Sequence, residues 1–499
     1  MNLTCDPWIP AVRSDGLRDL FSLEDLFAQA HTLQDLAVKP HERIAVMRLL
    51  ICITQAALDG PKDEDAWENC RSLIQPRVKD YLSRWRAKFE LYGNGERFLQ
   101  VANLVSGKSD DEATPATKLD LALATNNNPT LFDTEAGQQR AIDAPRTALN
   151  LLTFQCFSPG GTIGVAEWKG KGTPGGRYSK HAPCVPSSMI HALRIGDALL
   201  TTIHLNLLTT ETMQDVPPCR IGRPVWERFP DDADAASEIE NATHSHLGRL
   251  VPLTRAVRLY ENGRSVVLAN GLEFPPFPAS REPTATIVKM GKDELGMLSA
   301  STDRALWRQL APITIRRLSS KDLISGPLAI AHDASGSEVA LWVGAFVTDK
   351  TNAAKIEDVI EGFYKVPHSM FDAFGRAAFE CGVRYADLTE SALIQAVKQF
   401  AATLKVDKPA YERARQHFWT RVEQSLPALF AIARELTPEI ELPGSVWGRA
   451  VQASALDAYQ QVCPSKTPRQ IHAHAMGLGR LSRTAVSKSA KPKKATSHE

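Results

Sequence analysis

A change in hydrophobic periodicity near Val366 divides this chain of 499 residues into two parts that are built differently. Beyond it, apolar residues recur at spacings of three and four, which places them on one face of an α-helix. Three such stripes occur: Leu393, Val397, Phe400 and Leu404; Phe418, Val422 and Leu426; Trp447, Val451, Ala455 and Ala458. Because helices of this kind bury their apolar faces against one another, residues 366–479 are predicted to form a C-terminal helical bundle.

The first 365 residues mix helical and strand patterns. Residues 41–58 predict a helix so apolar that it must be largely buried, and residues 341–347 predict a buried strand. Residues 249–271 alternate between apolar and polar positions, with an Asn-Gly pair that is typical of a tight hairpin turn. Residues 187–208 are predicted to begin as a helix and to continue as a strand. The predicted fold class is therefore α+β, with a large mixed α/β domain over residues 1–365 followed by the helical bundle.

Positive charge is concentrated in the last 20 residues. Residues 480–499 hold six Lys or Arg against one acid, so the formal net charge of +1 for the whole chain leaves −4 for residues 1–479. This tail has no apolar periodicity and is predicted to be a disordered basic segment, which could add weak attraction to phosphate. A protein that coats nucleic acid without sequence preference is usually far more basic, so any contact with nucleic acid must come from local patches.

The chain lacks the signals of a secreted or membrane protein. Its eight cysteines include no CxxC pair, which favours free thiols in a reducing cytoplasm over a disulfide framework or a zinc site. No run of about 18 apolar residues predicts a membrane span, and the first residues do not read as a signal peptide. The predicted location is the cytoplasm.

A glycine-rich stretch over residues 154–181 is the most distinctive local feature. Seven of the chain's 30 glycines fall between Gly160 and Gly176. Basic and aromatic residues accompany them: Trp168, Lys169, Lys171, Arg177, Tyr178 and Lys180. Bare backbone amides beside such side chains suit phosphates and stacked bases, although a plain structural loop explains the composition as well. The later hairpin adds Arg255, Arg258 and Arg264, so a basic face is predicted there.

A second segment, residues 126–132, contains three Asn and a Pro and is predicted to be an exposed loop. The pair Leu131 and Phe132 at its tip could dock on a partner or on a base. The alternative is that the pair folds back onto the core of its own domain.

Few residues in the sequence match the pattern of a known catalytic site. Cys156 with His181 or His191 could form a thiol–imidazole pair, but no signature of a cysteine hydrolase flanks it. The glycines do not have the spacing of a dinucleotide site, and Ala102 stands where a phosphate loop would need glycine. The chain is therefore predicted not to be an enzyme and to need no cofactor or metal. The alternatives are a nucleotide- or thiol-dependent enzyme that uses the glycine-rich loop, and a protein scaffold.

The order of several motifs resembles one family. DPWIP begins at residue 6, SPGG at 158, NGLEFPPFP at 270 and DRALWRQL at 303, and the helical bundle follows. In this order the chain is similar to the large subunits (CasA type) of type I-E CRISPR Cascade surveillance complexes. The resemblance implies a C-terminal four-helix bundle and an RNA-guided antiviral role without catalysis. It also implies recognition of the protospacer-adjacent motif (PAM) in double-stranded DNA through the minor groove, opening of the duplex to form an R-loop, and recruitment of a helicase–nuclease.

The same resemblance assigns roles to individual residues. The glycine loop that approaches the minor groove falls on Ser158, Pro159, Gly160 and Gly161, and the basic finger beside it falls on Arg264, where known relatives have Lys. The wedge beneath the motif falls on Lys350, Thr351 and Asn352, without the glutamine of some relatives. Supporting phosphate contacts are expected from Lys169, Lys171 and Arg177. The loop with Asn128, Leu131 and Phe132 is expected to meet the backbone subunits and the guide RNA.

Overall fold

A computed structural model gives the fold of the chain. It describes residues 1–93, 95–106, 114–123, 140–158, 163–173, 182–232, 234–261, 263–292, 294–332, 336–349, 356–435 and 442–487, with side chains to Leu481. Its strands are β1 (Ile9–Arg13), β2 (Arg18–Phe21), β3 (Leu33–Leu36), β4 (Leu104–Ser106), β5 (Thr114–Pro115), β6 (Ala166–Trp168), β7 (Lys171–Gly172), β8 (Ile190–Arg194), β9 (Arg255–Leu259), β10 (Ser265–Asn270), β11 (Ile287–Lys289), β12 (Leu295–Met297), β13 (Glu338–Thr348) and β14 (Ile356–Pro367). Its helices are α1 (Leu23–Gln29), α2 (Pro40–Leu58), α3 (Glu64–Asn69), α4 (Ile74–Trp85), α5 (Ala144–Phe157), α6 (Leu199–Leu205), α7 (Thr210–Met213), α8 (Ala236–His244), α9 (His246–Leu250), α10 (Leu310–Ile313), α11 (Ala373–Leu404), α12 (Tyr411–Gln424), α13 (Leu426–Glu435), α14 (Val446–Val462) and α15 (Pro468–Ser487).

Two compact units divide the chain. One is Met1–Ala334 with Ala340–Lys365, and the other is Ser335–Val339 with Val366–Glu499. The first unit mixes helices with small sheets and the second is helical, so the prediction of an α+β fold with a C-terminal bundle is confirmed.

The first unit is built around α2. Pro40 occupies its first turn, where a missing N–H costs nothing, and the Glu42 carboxylate accepts a hydrogen bond from the backbone N–H of Lys39 at 3.0 Å. Every residue from His41 to Ala56 is buried, and α4, α5 and α9 pack around the helix. The prediction of a buried helix over residues 41–58 is therefore confirmed.

The described strands form several small sheets rather than one large sheet. The strand orders are β2-β1-β3, β5-β10-β9, β4-β6-β7, β14-β13-β8 and β11-β12. The prediction for residues 187–208 is wrong in its order, because the strand β8 comes first and the helix α6 follows. Ser187 and Ser188 both adopt positive φ, which allows only a short 3-10 turn at Pro186–Ser188 and prevents an α-helix from starting there. Pairing of Ile190 with Ala345 then makes β8 a buried strand of the sheet.

The second unit is a bundle in which α11 packs against each of the other four helices. Only Ser425 separates α12 from α13, and Pro427, which has no N–H, stands in the first turn of α13. Helices α12 and α13 together take the place of one helix in a four-helix bundle. Trp447 anchors α14, since its indole N–H donates to the carbonyl oxygen of Gly382 at 3.0 Å.

The helix α15 corrects the predicted start of the disordered tail. It continues through Ser487, past residue 480 where disorder was predicted to begin. Ala473, Gly477 and Leu481 are buried at successive spacings of four, so one helical face packs across that boundary. A Cβ at Gly477 would lie 2.8 Å from the carbonyl oxygen of Ala396, which shows how closely α15 approaches α11. Residues 488–499 lie outside the described residues.

Candidate nucleic-acid interface

Many of the predicted contact residues lie outside the described residues. They are Asn128, Leu131, Phe132, Pro159, Gly160, Gly161, Arg177, Lys350, Thr351 and Asn352. Their roles remain predictions. The structure describes Ser158, Lys169, Lys171 and Arg264, together with the residues from which the other predicted segments start.

The root of the glycine-rich loop is fixed at the end of α5. Ser158 caps that helix, with its N–H donating to the carbonyl oxygen of Phe154 at 2.7 Å. The side chain of Ser158 is buried, and its hydroxyl accepts a hydrogen bond from Nε of Arg255 at 2.8 Å. The side chain of Ser158 therefore faces inward and anchors the start of the predicted loop, and its role at the DNA remains a prediction.

Arg255 joins this root to both strands of the β9–β10 hairpin. It belongs to β9, and its Nη1 donates to Oδ1 of Asn270 at the end of β10 at 2.5 Å. The side-chain amide of Gln155, on α5, bonds both the N–H and the carbonyl oxygen of Arg255, each at 2.9 Å. Burial lowers the pKa of Arg255 to about 10, so the guanidinium stays charged at neutral pH. The loop and the hairpin thus share one rigid base.

The predicted basic face on this hairpin is not formed by all three arginines. Arg255 is buried, and the Arg258 guanidinium lies over the ring of Tyr260, 5.1 Å from its centroid. Residues an odd number of positions apart on a strand point to opposite faces, so Arg255 and Arg258 cannot share one face. Arg264 is the exposed member.

Arg264 stands at the tip of the hairpin and is held on two sides. Its carbonyl oxygen accepts from the N–H of Ala116 at 2.8 Å, and the carbonyl oxygen of the neighbouring Gly263 accepts from the N–H of Ile142 at 3.1 Å. Gly263 has a φ of +64°, and a Cβ there would lie 2.9 Å from the carbonyl oxygen of Ile142. Glycine is therefore required at this turn. The hairpin prediction is confirmed.

The root of the predicted wedge segment contacts Ser188, which follows the glycine-rich stretch, and also packs near the root of the glycine loop. Thr348, the last residue of β13, donates its N–H to the hydroxyl of Ser188 at 3.0 Å. The rings of Phe157 and Phe346, which precede the two roots, have centroids 5.3 Å apart. Sequence reasoning missed Ser188, Arg255 and Gln155 as positioning residues, because their partners are distant in sequence. The three predicted DNA-contact segments start from one shared base.

Buried histidines line this base. The ring of His41 packs against Phe346 and the ring of His191 against Phe157, with centroids 5.8 and 5.9 Å apart. Burial lowers the pKa of His41 to about 4 and that of His191 to about 3, so both imidazoles are neutral at pH 7. His246, near α2, is neutral for the same reason, with a pKa of about 3.

Acid is expected to destabilise this unit as the pH falls below about 6.5, because unfolding lets its buried neutral histidines take up protons. These three pKa values lie below the value of about 6.5 that a histidine has in an unfolded chain. The contribution of the neutral histidines to the stability of the fold is therefore complete above pH 6.5 and is lost as the pH falls toward 4. The three histidines together should lower the free energy of unfolding by up to about 4 kcal/mol for each unit by which the pH falls. Glu227 and Glu282 reduce this slope, because burial raises their pKa values. Urea unfolding at pH 7, 6 and 5 measures the free energy of unfolding, and His191→Gln should lower its pH slope by about a third. A free energy of unfolding that stays constant over this range would contradict the expectation.

Lys169 and Lys171 flank the turn between β6 and β7. Lys169 and Gly170 both adopt positive φ there. The Nζ of Lys169 lies 4.0 Å from Oδ1 of Asp231, and Lys171 forms an ion pair with Asp234. Exposed pairs of this kind contribute only about 0–1 kcal/mol, so a phosphate could replace either carboxylate.

Trp168 is not available for stacking on bases. Its indole is buried, and the indole N–H donates to the carbonyl oxygen of Asp231 at 3.3 Å. Trp168 therefore belongs to the domain core, and Tyr178 lies outside the described residues.

The thiol of Cys156 is buried in the core of the first unit. The backbone N–H of Cys184 donates to the carbonyl oxygen of Cys156 at 3.3 Å, which brings the two ends of the glycine-rich stretch together. Across the described part of the chain, no group of three or more His, Cys, Asp or Glu is placed to hold a metal ion. The helices of that part include none with both the length and the apolar character of a membrane span.

Comparison with known proteins identifies what the chain is similar to. A family model for CRISPR-associated protein Cse1 matches residues 2–458. A CasA/Cse1 protein of Thermus thermophilus is 26% identical over 503 residues, which span 92% of this chain and 91% of that protein. The crystal structure of Cse1 from Acidimicrobium ferrooxidans superposes with a TM-score of 0.74 at 20% identity, over 98% of each chain.

One similar structure is of an assembly named a CRISPR RNA-guided surveillance complex. A chain of it matches with a TM-score of 0.71 at 16% identity, covering 97% of this chain and 99% of that one. At such identities the two structural matches show a shared fold over nearly the whole chain.

Proposed function

Because the chain belongs to the Cse1 family of CRISPR-associated proteins, we propose that it is the non-catalytic large subunit of a type I-E Cascade surveillance complex. In this role it reads the PAM in double-stranded DNA through the minor groove and opens the duplex for pairing with the guide RNA. It then recruits the helicase–nuclease that degrades the target. Its partners are the guide RNA and the backbone subunits, and it acts in the cytoplasm.

One observation supports this proposal: the described residues that lead into the predicted glycine loop, into the hairpin of Arg264 and into the predicted Lys350–Asn352 wedge lie together in one buried base. Arg255 ties the root of the glycine loop to the hairpin, and the packing of the Phe157 ring on the Phe346 ring ties that root to the start of the wedge segment. A site that inserts into a groove needs parts held at fixed separations, which buried hydrogen bonds between loop roots supply.

The physical requirements of the task match these parts. The minor groove distinguishes mainly A·T from G·C pairs, so a bare glycine backbone and one cation suffice for a short, tolerant motif. Wedging one base step costs a few kcal/mol of unstacking. The RNA–DNA hybrid then replaces the DNA duplex in a near-balanced exchange, so the protein has only to nucleate opening, without ATP or a metal.

The glycine loop gives the experiment that tests the proposal. Gly160→Asp is expected to weaken binding of the assembled complex to a PAM-bearing duplex by about tenfold or more, because a carboxylate would face phosphates. Binding to a target that is already single-stranded should not change. Gly164→Asp is the matched control, since it adds the same charge to the same stretch at an exposed position with open space around its Cβ.

Gel-shift titrations of both variants on intact and pre-opened targets measure these affinities. Equal affinities of Gly160→Asp and the unaltered chain on the intact duplex would refute the proposed groove contact. Crosslinking of Lys169 or Arg177 to DNA would separate the proposal from a pure scaffold role.

A further inference from the structure

Two buried cysteines, Cys156 and Cys184, stand at the two ends of the glycine-rich stretch. Both are at most 1% exposed, and all eight cysteines of the chain are free thiols. The hydrogen bond from the N–H of Cys184 to the carbonyl oxygen of Cys156 joins the two backbones directly, as between paired strands. Such pairing places two α-carbons roughly 5.5 Å apart, inside the range of about 4.4–6.8 Å that a disulfide spans.

The two thiols differ in acidity, although both are buried. Burial raises the pKa of Cys156, but a hydrogen bond with Cys184 and the charge of Arg48 bring it below its usual value, against the opposing charge of Glu282. The pKa of Cys184 lies well above its usual value, because of burial and of the same hydrogen bond with Cys156. Cys156 therefore has the character of an attacking thiolate, and Cys184 that of a thiol that keeps its proton.

We propose that Cys156 and Cys184 form a reversible disulfide when the protein meets a small peroxide such as hydrogen peroxide. The Cys156 thiolate attacks one oxygen and breaks the O–O bond, which leaves a sulfenic acid and a hydroxide that takes up the proton lost by Cys156. The sulfur of Cys184 then attacks that of Cys156, forms the S–S bond and expels the second oxygen as water. The pair loses two electrons and two protons, and the peroxide becomes two waters. A small dithiol reverses the reaction by thiol–disulfide exchange.

Burial decides which oxidants reach the pair. A cavity of about 20 Å³, lined in part by Arg48, has room for a water-sized molecule beside the guanidinium. Bulky oxidants such as oxidised glutathione should react instead with the exposed Cys219 and Cys381. The disulfide joins the two ends of the glycine-rich stretch covalently, which restricts the unfolded chain and raises resistance to unfolding. The inference does not depend on the proposed role at DNA.

Peptide mapping of the full chain after oxidation tests the proposal. Exposed thiols are first blocked on the folded protein with iodoacetamide, and hydrogen peroxide is then added. The chain is next unfolded without reductant and labelled with a second alkylating reagent. The expected product is a cross-linked pair of peptides that contain Cys156 and Cys184, lighter by about 2 Da than the two reduced peptides because two hydrogens are lost. Dithiothreitol should restore both thiols.

Urea unfolding before and after oxidation gives a second measurement. Peroxide should raise the urea midpoint of the first unit by about 0.5 M or more, and Cys156→Ser or Cys184→Ala should abolish both this rise and the cross-link. Cys52→Ser is the matched control, because the thiol of Cys52 is also buried but bonds the carbonyl oxygen of Leu247 at 3.4 Å. It should keep the cross-link and the rise.

Three results would overturn the proposal. The first is that Cys156 and Cys184 stay reduced at a peroxide concentration that fully oxidises Cys219 in an unblocked sample. The second is a cross-link that forms only in the unfolded chain, and the third is a sulfinic acid at Cys156 without a disulfide. The peptide map of the unaltered chain decides between these outcomes even if a variant fails to fold. Binding to PAM-bearing DNA is measured separately, so either proposal can fail without the other.

Discussion

Arg264→Ala is expected to weaken binding of the assembled complex to PAM-bearing duplex DNA by about tenfold to a hundredfold, the range of one good base contact. Arg264 is exposed at the tip of a hairpin that is held by hydrogen bonds from Ala116 and Ile142. Those bonds use backbone atoms and survive the substitution, so the variant removes the cation while the hairpin tip stays held. Binding to a pre-opened target should be unchanged, since it bypasses the groove.

Two further variants make this result specific. Lys321→Ala removes one positive charge from an exposed loop position elsewhere and should leave duplex binding within about twofold, since an exposed charge contributes little on its own. Arg264→Lys restores the residue expected in relatives and should recover most of the affinity while changing base preference, because Lys lacks the planar fork of Arg. The slope of log affinity against log salt should fall by about 0.9 for Arg264→Ala. An equal loss on intact and pre-opened targets would show that Arg264 does not read the groove.

Glu282→Ala is expected to reduce the free energy of unfolding by about 3–5 kcal/mol. Glu282 forms an ion pair with Arg48 of α2, and the side chains of both are only 2% exposed. Arg48 also donates to the carbonyl oxygens of Arg249 and Leu250, at 2.6 and 2.8 Å. Removing the carboxylate leaves a buried guanidinium without its counter-charge, and it also removes the ion pair that links α2 to the segment around Glu282.

Urea unfolding of the full chain measures this loss. The double variant Arg48→Met with Glu282→Leu removes both charges and should recover much of it, because the desolvation cost of the ion pair disappears with the pair. The exposed pair of Arg13 and Asp19, 2.8 Å apart, is the control, and Asp19→Ala should cost about 0–1 kcal/mol. A loss below about 1 kcal/mol for Glu282→Ala would mean that water reaches Arg48 and replaces the carboxylate.

Local patterns in the sequence were sufficient for the secondary structure that depends on nearby residues. The apolar stripes after Val366 predicted the bundle, and the Asn-Gly turn predicted the hairpin, since helical periodicity and turn geometry are set within a few residues. The order of strand and helix in residues 187–208 was predicted wrongly. A short apolar run fits either form until its pairing partner is known, and here the partner is β13.

The sequence by itself determined the fold class, the buried α2 and the family, because each depends on local spacing or on the order of motifs. The tertiary structure decided how the candidate site is held. The bonds from Arg255 to Ser158, from Thr348 to Ser188 and from Arg48 to Glu282 join residues 97, 160 and 234 positions apart. No local pattern specifies which distant segments meet, because that choice depends on how all the apolar surfaces of the unit are buried together. For the same reason Trp168, which sequence composition placed beside a phosphate or base site, lies in the core.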